Sequence, residues 1–363
     1  MKVTINHKNF KRALGMVEKI VSRNHSLPIL NNILIKTENG RLKLSATNLE
    51  IGINCFIGVK IEESGEIAVP ARILSDLIAN LVDEKVSLIT KNNILHISSD
   101  KYKTQILGFE TKDFPIIPKI KEVLLCTLPI APLRNALISV FDSMAVSETR
   151  PELAGVFIKL NGKNITFAST DSFRLTEKLI DFKTEKTADF ILPRNTIAEL
   201  IRVAGDLEGD LNVYMKENQI SFVSEEFELV SRLIDGNYPD YKKIIPDKFV
   251  SKVLIDKDVF EKNTRLAGLF SSNIADIKLN CFQDKVLITS KNSDKGEIEA
   301  SVEANLKNEP FEISLNYQYL LDGLKKIPTA KAVVEFTGVG SPLILRPAEE
   351  KRDLLYLIMP FRK

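Results

Sequence analysis

Pro193-Arg194-Asn195-Thr196-Ile197-Ala198-Glu199-Leu200-Ile201 is one of three versions of a single helical face. Pro70-Ala71-Arg72-Ile73-Leu74-Ser75-Asp76-Leu77-Ile78 precedes it by 123 positions, and Asn316-Tyr317-Gln318-Tyr319-Leu320-Leu321-Asp322-Gly323-Leu324 follows it by 123. Counted from the first residue of each, positions +4, +8 and +11 are Leu74/Ile78/Leu81, Ile197/Ile201/Ala204 and Leu320/Leu324/Ile327. That spacing is the apolar stripe of an amphipathic helix. Its return at a fixed long interval predicts a chain built from copies of one unit.

The neighbouring segments repeat as well. A short strand leads into a helix from about His7 to Val21, with Phe10, Leu14 and Val17 on one face. The same plan recurs with Leu133, Leu137 and Val140, and again from Phe260 to Phe270. Asn6, Pro129 and Asp256 each suit a helix start. Hairpins follow, turning at Asn39-Gly40, Asn161-Gly162 and Gln283-Asp284. An Asn-Gly pair predicts a type I′ turn, with positive φ at both residues. After each second helix comes another hairpin: Val86–Ile89 with Ile94–Ile97, Leu211–Tyr214 with Ile220–Val223, and Val333–Phe336 with Leu343–Leu345. Proline-bearing stretches close each copy at Phe114–Pro118, Tyr238–Pro246 and Met359–Phe361. The expected domains are therefore 1–120, 121–249 and 250–363, each α+β, with two helices on antiparallel sheet.

Composition narrows the function. The chain has 363 residues and balanced charge, with 50 Lys and Arg against 48 Asp and Glu, net +2. This excludes a histone-like basic coat but not a segregated basic face. No apolar run approaches 18 residues and no signal peptide is visible, so a soluble, cytoplasmic protein is expected. Cys55, Cys126 and Cys281 are scattered in apolar contexts and read as core residues. His7, His25 and His96 are far apart, with no partner cluster for a metal or a triad. Phosphate-binding and dinucleotide glycine loops are missing. The acid pairs Glu62-Glu63 and Glu225-Glu226 read as solvated surface. No catalytic residue, metal or cofactor is expected, and a scaffold outweighs an enzyme. The competing enzyme reading rests on Asp171 and Arg174 in Ser169-Thr170-Asp171-Ser172-Phe173-Arg174-Leu175.

The helices carry a basic bias: Lys8, Lys11, Arg12, Lys19 and Arg23 in the first, then Arg72, Arg134, Arg194, Arg202, Lys257, Lys262, Arg265, Lys325 and Lys326. Ordinary solubilisation explains part of it. A surface that meets phosphates without reading bases would use the same residues.

Several short stretches then coincide: Leu27-Pro28-Ile29-Leu30, Ala46-Thr47-Asn48-Leu49-Glu50, Thr170–Leu175, Ser231–Gly236 with Tyr238–Tyr241, Asn316–Leu321, and Ile358–Arg362. In this order, and over the whole length, the chain resembles the bacterial DNA polymerase III beta subunits, the DNA sliding clamps. The resemblance implies a head-to-tail homodimer, a ring of six clamp-type domains around double-stranded DNA. Such a ring confers processivity without chemistry and is opened by a separate loader. It implies a pocket for short peptides of the polymerase catalytic subunit, the clamp loader and other clamp-binding proteins. Carried over by motif, that pocket comprises Arg150, Leu153, Thr170, Ser172, Phe173, Arg174, Leu175, Pro246, Asn316, Tyr319, Val339, Ser341, Leu357, Met359, Pro360 and Arg362. Phe173 departs from the family's hydrogen-bonding residue at its position. Lys11, Arg12, Arg23, Arg72, Arg134, Arg194 and Arg202 are expected to face DNA. Leu269 and Phe270 of one chain are expected to meet Gln105, Ile106 and Leu107 of the other. Rival readings are a monomeric peptide adaptor and a hydrolase working between repeats.

Overall fold

The computed structural model describes residues 1–21, 27–146, 149–349 and 353–361. Among them lie six α-helices: α1 (His7–Glu18), α2 (Ala71–Asn80), α3 (Ile130–Phe141), α4 (Arg194–Val203), α5 (Lys257–Gly268) and α6 (Tyr317–Lys326). Each first helix follows directly on a strand. Asn6 caps α1, its Oδ1 accepting the Asn9 N–H at 3.2 Å, and Asp256 caps α5 by accepting the Val259 N–H at 3.0 Å. The buried face of α1 is Phe10, Ala13, Leu14, Met16 and Val17. The helix stops at Glu18, short of the expected Val21, where the chain turns with a Val21 N–H to Glu18 carbonyl bond of 3.0 Å.

The chain divides into two compact units. The first, Met1–Arg134 with Ala198–Leu233, contains two antiparallel sheets. One runs Lys60–Glu63, Lys2–Asn6, Lys85–Lys91, Ile94–Ser98, Lys103–Leu107. The other runs Val123–Pro129, Asp210–Lys216, Gln219–Val223, Phe227–Arg232, Ile51–Gly58, Arg41–Thr47, Asn32–Glu38, Glu66–Pro70. The second unit, Asn135–Ile197 with Ile234–Lys363, has one continuous sheet. Its order is Thr187–Pro193, Gly155–Asn161, Asn164–Thr170, Arg174–Asp181, Leu354–Ile358, Leu343–Pro347, Lys331–Phe336, Ser251–Asp256, Gly296–Asn308, Lys285–Asn292, Asp276–Cys281, Phe311–Asn316. Strands such as Lys2–Asn6 alternate buried Val3 and Ile5 with outward polar residues, the pattern of a sheet covered on one face. In the second unit α5 and α6 cover a core of Val253, Phe260, Leu320, Leu324 and Tyr356.

The internal repetition extends to single bonds. The Phe109, Ile234 and Phe361 N–H groups donate to the carbonyls of Ala68, Ile191 and Ser314 at 2.8, 3.0 and 3.0 Å. Those three acceptors are 123 positions apart. Two strand junctions repeat in the same way. Ile51–Gly58 pairs with Phe227–Arg232, Ile51 opposite Ser231 and Cys55 opposite Phe227. Arg174–Asp181 pairs with Leu354–Ile358, Arg174 opposite Ile358 and Lys178 opposite Leu354.

One expected turn differs. Asn39 and Gly40 have φ of 50° and 75°, as a type I′ turn requires, but at Asn161-Gly162 only the glycine is positive, at 88°. Asn161 Oδ1 instead accepts the Lys163 and Asn164 N–H groups at 3.0 and 2.9 Å. This side-chain turn replaces the left-handed asparagine.

Candidate functional site: a corner and an apolar slot

The strand Asn164–Thr170 turns into Arg174–Asp181 through a corner built from its own side chains. Thr170 Oγ1 donates to the Arg174 carbonyl at 2.6 Å and accepts the Ser172 N–H at 3.1 Å. Asp171 Oδ1 accepts the Phe173 and Arg174 N–H groups at 3.0 and 2.9 Å. Ser172 sits at φ 77°, which a small polar residue tolerates better than a branched one. The Phe173 carbonyl accepts the Met359 N–H at 2.8 Å, which brings the last segment alongside the corner.

Arg174 ties the corner to α6 and to the residue that follows α3. Its Nε lies 2.9 Å from Asp171 Oδ2 and its Nη1 2.6 Å from Asp322 Oδ2 on α6. Its Nη2 donates to the Asp142 carbonyl at 2.6 Å, and its guanidinium covers the Tyr319 ring at 4.6 Å. An acid beside an arginine, with both positioning backbone, is structural geometry. Among the described residues no group of three His, Cys, Asp or Glu side chains could hold a metal ion. Burial pushes the Cys55, Cys126 and Cys281 thiols up to about 12, so none is an activated nucleophile.

Beside the corner, Leu175 and Leu357 are fully buried and pack with Ala168, Tyr241, Ile344 and Leu355. Met359, Tyr238, Ile245 and Phe249 pack against that floor. Phe157 stacks on Tyr238 at 5.2 Å, and Tyr241 stands edge-on to both rings. Tyr241 is pinned by its hydroxyl, which donates to Glu177 Oε2 at 2.6 Å. The rim is accessible: Phe173 is 61% and Val339 94% exposed, while Pro246, Tyr319, Ser341 and Pro360 are half-buried. Arg150 Nη1 reaches Ser172 Oγ at 3.3 Å, and Leu153 is buried nearby in the chain. Asn316 caps α6, accepting the Gln318 and Tyr319 N–H groups at 2.9 and 3.3 Å. Arg362 lies outside the described residues. Motif reasoning missed Asp322 and the Phe157, Tyr238 and Tyr241 trio. The close spacing of the two tyrosines in Tyr238-Pro239-Asp240-Tyr241 was the available signal.

The basic helix residues are partly committed to helix ends. Lys11 Nζ donates to the Ala79 carbonyl at 3.1 Å and Arg134 Nε to the Ile201 carbonyl at 3.0 Å, in the last turns of α2 and α4. Arg202 donates to the Gly15 and Met16 carbonyls at 2.7 Å each, near the end of α1, and pairs with Glu199. These bonds satisfy carbonyls that a helix end leaves open. Arg12 pairs with Glu226, Arg72 with Asp76 at 3.7 Å, and Arg194 covers Phe141 at 4.6 Å. Arg23 lies outside the described residues. Of the expected interface residues, Ile106 is buried, Leu107 is 69% exposed on an edge strand, Leu269 is 63% exposed and Phe270 is half-buried.

Fold and site together define a protein of three tandem clamp-type α+β domains with an apolar cluster beside a corner built from its own side chains. Models of the DNA polymerase III beta subunit match the chain throughout: the N-terminal domain at residues 1–118, the central domain at 127–240 and the C-terminal domain at 242–362. The beta sliding clamp of Staphylococcus aureus is 28% identical over 377 residues, covering 100% of this chain and 99% of that protein. The DNA polymerase III subunit beta of Pseudomonas aeruginosa superposes with a TM-score of 0.95 at 26% identity, covering all of both chains. The beta subunit of Thermotoga maritima gives 0.94 at 25% identity, over 100% and 99%.

The chain belongs to the DNA polymerase III beta subunit family. It is a sliding clamp, a non-catalytic processivity factor of DNA polymerase III. Membership implies DNA and a polymerase as partners, together with clamp-binding ligands. A Pseudomonas aeruginosa clamp has been solved bound to griselimycin. Among the described residues no helix is long and apolar enough to cross a membrane.

Proposed function

We propose that two copies of this chain close head to tail around duplex DNA, with domains at 1–120, 121–249 and 250–363. The observation that carries this is the repeated junction. In both internal cases the strand after a corner pairs with the last strand of the next domain. Among the described residues, one strand of each kind remains without such a partner. Lys103–Leu107 is an edge strand, and the first half of Gly296–Asn308 pairs only with Lys285–Asn292. Joining them between copies, in the register of the internal junctions, sets Ile106 opposite Glu297 and Tyr102 opposite Ser301. Leu107 then meets the Leu269 and Phe270 region, since the Phe270 ring lies 3.9 Å from the position of a Cβ on Gly296. A heterologous contact whose rotation closes makes a ring and covers both sheet edges.

Within such a ring, Lys11, Arg12, Arg72, Arg134, Arg194 and Arg202 supply positive charge for the DNA phosphates. Arg134 and Arg202 do so while holding helix ends. The slot beside Phe173 and Met359 takes short peptides of the polymerase catalytic subunit, the clamp loader and other clamp-binding proteins. Its floor suits aliphatic and aromatic anchors. Topology tests the ring directly. Loaded protein is expected to remain on nicked circular DNA through a high-salt wash and to leave the same DNA once it is linearised. Equal loss from both forms would refute encirclement.

A further inference from the structure

The corner of the slot has a twin. In the N-terminal domain, Thr47 Oγ1 donates to the Ile51 carbonyl at 2.9 Å and accepts the Leu49 N–H at 3.0 Å. Asn48 Oδ1 accepts the Glu50 and Ile51 N–H groups at 3.1 and 2.8 Å. The Glu50 carbonyl accepts the Arg232 N–H at 3.1 Å, as that of Phe173 accepts Met359. Leu49 stands at φ 76°, matching Ser172 at 77°. Beside this corner lies an open groove of about 400 Å³.

We propose that this groove is a second peptide site, taking an extended segment that carries branched aliphatic side chains and one carboxylate. The inference rests on the reading of the central-domain slot as a peptide site. The floor differs in a way that sets the occupant. Gly52 stands where the slot has Leu175, and Ile117 seats against it, its Cγ2 lying 2.7 Å from where a glycine Cβ would be. The floor is thus aliphatic, whereas that of the slot includes Tyr241, with Phe157 and Tyr238 packed against it. The walls offer Leu49, 48% exposed despite a backbone that leucine rarely adopts, and Ile116, 94% exposed. Arg232 is exposed, and its guanidinium has no hydrogen-bond or ion-pair partner among the described residues. It takes the peptide's carboxylate. Glu50, bonded through its carbonyl to the Arg232 N–H, borders the same end of the groove.

The test uses the full chain and a fluorescein-labelled hexapeptide containing two leucines and one aspartate, with isoleucine methyl groups labelled for NMR. Two binding equivalents per chain are expected. Phe173→Asp is expected to remove one and leave the other, which shifts the Ile116 methyl resonance. In that background, Arg232→Glu or Ile116→Asp is expected to weaken the remaining site at least tenfold. Ile116 is exposed enough that its variant tests binding and not folding. Loss of all binding in Phe173→Asp, with the Ile116 methyl unmoved, would overturn the second site and leave the slot standing. Binding unchanged by Phe173→Asp alone would overturn the slot reading itself.

Discussion

Arg174 shows what one side chain can hold together. Three acceptors converge on it: the Asp171 carboxylate, the Asp322 carboxylate and the Asp142 carbonyl. Its side chain is 13% exposed, so the charges it neutralises are poorly solvated without it. Arg174→Ala is expected to cost about 2–4 kcal/mol, because it leaves two carboxylates and a carbonyl unmatched. Arg174→Lys is expected to recover little, since an ammonium cannot span acceptors arranged for a guanidinium fork. Denaturant unfolding of the three proteins checks both statements. The Asp171 partnership was legible as an acid three residues before a base. The Asp322 contact, 148 positions away, was not. The same stretch first admitted an acid–base catalyst, and only its bonding geometry showed that both groups serve the corner. Phe173 was legible as an oddity, and it stands 61% exposed at the corner.

Two helical glycines separate propensity from packing. A glycine inside a helix usually gains from replacement by alanine, through lost chain entropy in the unfolded state. Gly15 in α1 has open space where a Cβ would go. Gly15→Ala is therefore expected to stabilise by about 0.5–1 kcal/mol. Gly323 in α6 presses on Tyr356, whose ring carbon would lie 2.4 Å from an added Cβ. Tyr356 is fully buried, and its hydroxyl donates to the Tyr319 carbonyl at 2.9 Å, so it has nowhere to move. Gly323→Ala is expected to destabilise by about 1–3 kcal/mol. Thermal melts of the two variants should move in opposite directions. Helix faces were readable because a 3.6-residue period survives in sequence. The second hairpin's turn was not, because an asparagine can either adopt positive φ or hydrogen-bond its neighbours, and nothing local chooses between them.

For the assembled clamp the decisive contact is between copies. Leu107 is a large apolar side chain, 69% exposed at the end of an edge strand, a costly feature for a protein that stays alone. Leu107→Asp is expected to weaken self-association at least tenfold, read as a shift toward monomer in sedimentation. The proposed peptide slot, which uses none of these residues, should keep its affinity. A dimer of unchanged strength would remove the proposed edge pairing and its register. The basic helices belong to this scale too. Net charge near zero hides where the cations sit, and several of them also cap neighbouring helices.

What the amino-acid sequence determined by itself was the number of copies, their α+β plan and the apolar face of each helix. These depend on local periodicity and spacing, which are written along the chain. Tertiary structure alone decided which side chains share a partner. It joined Arg174 to Asp322, set Tyr238 and Tyr241 around the slot, placed Arg202 on the end of α1, and seated Ile117 in the notch left by Gly52. Those outcomes depend on distance in space between residues far apart in sequence, and no period records it.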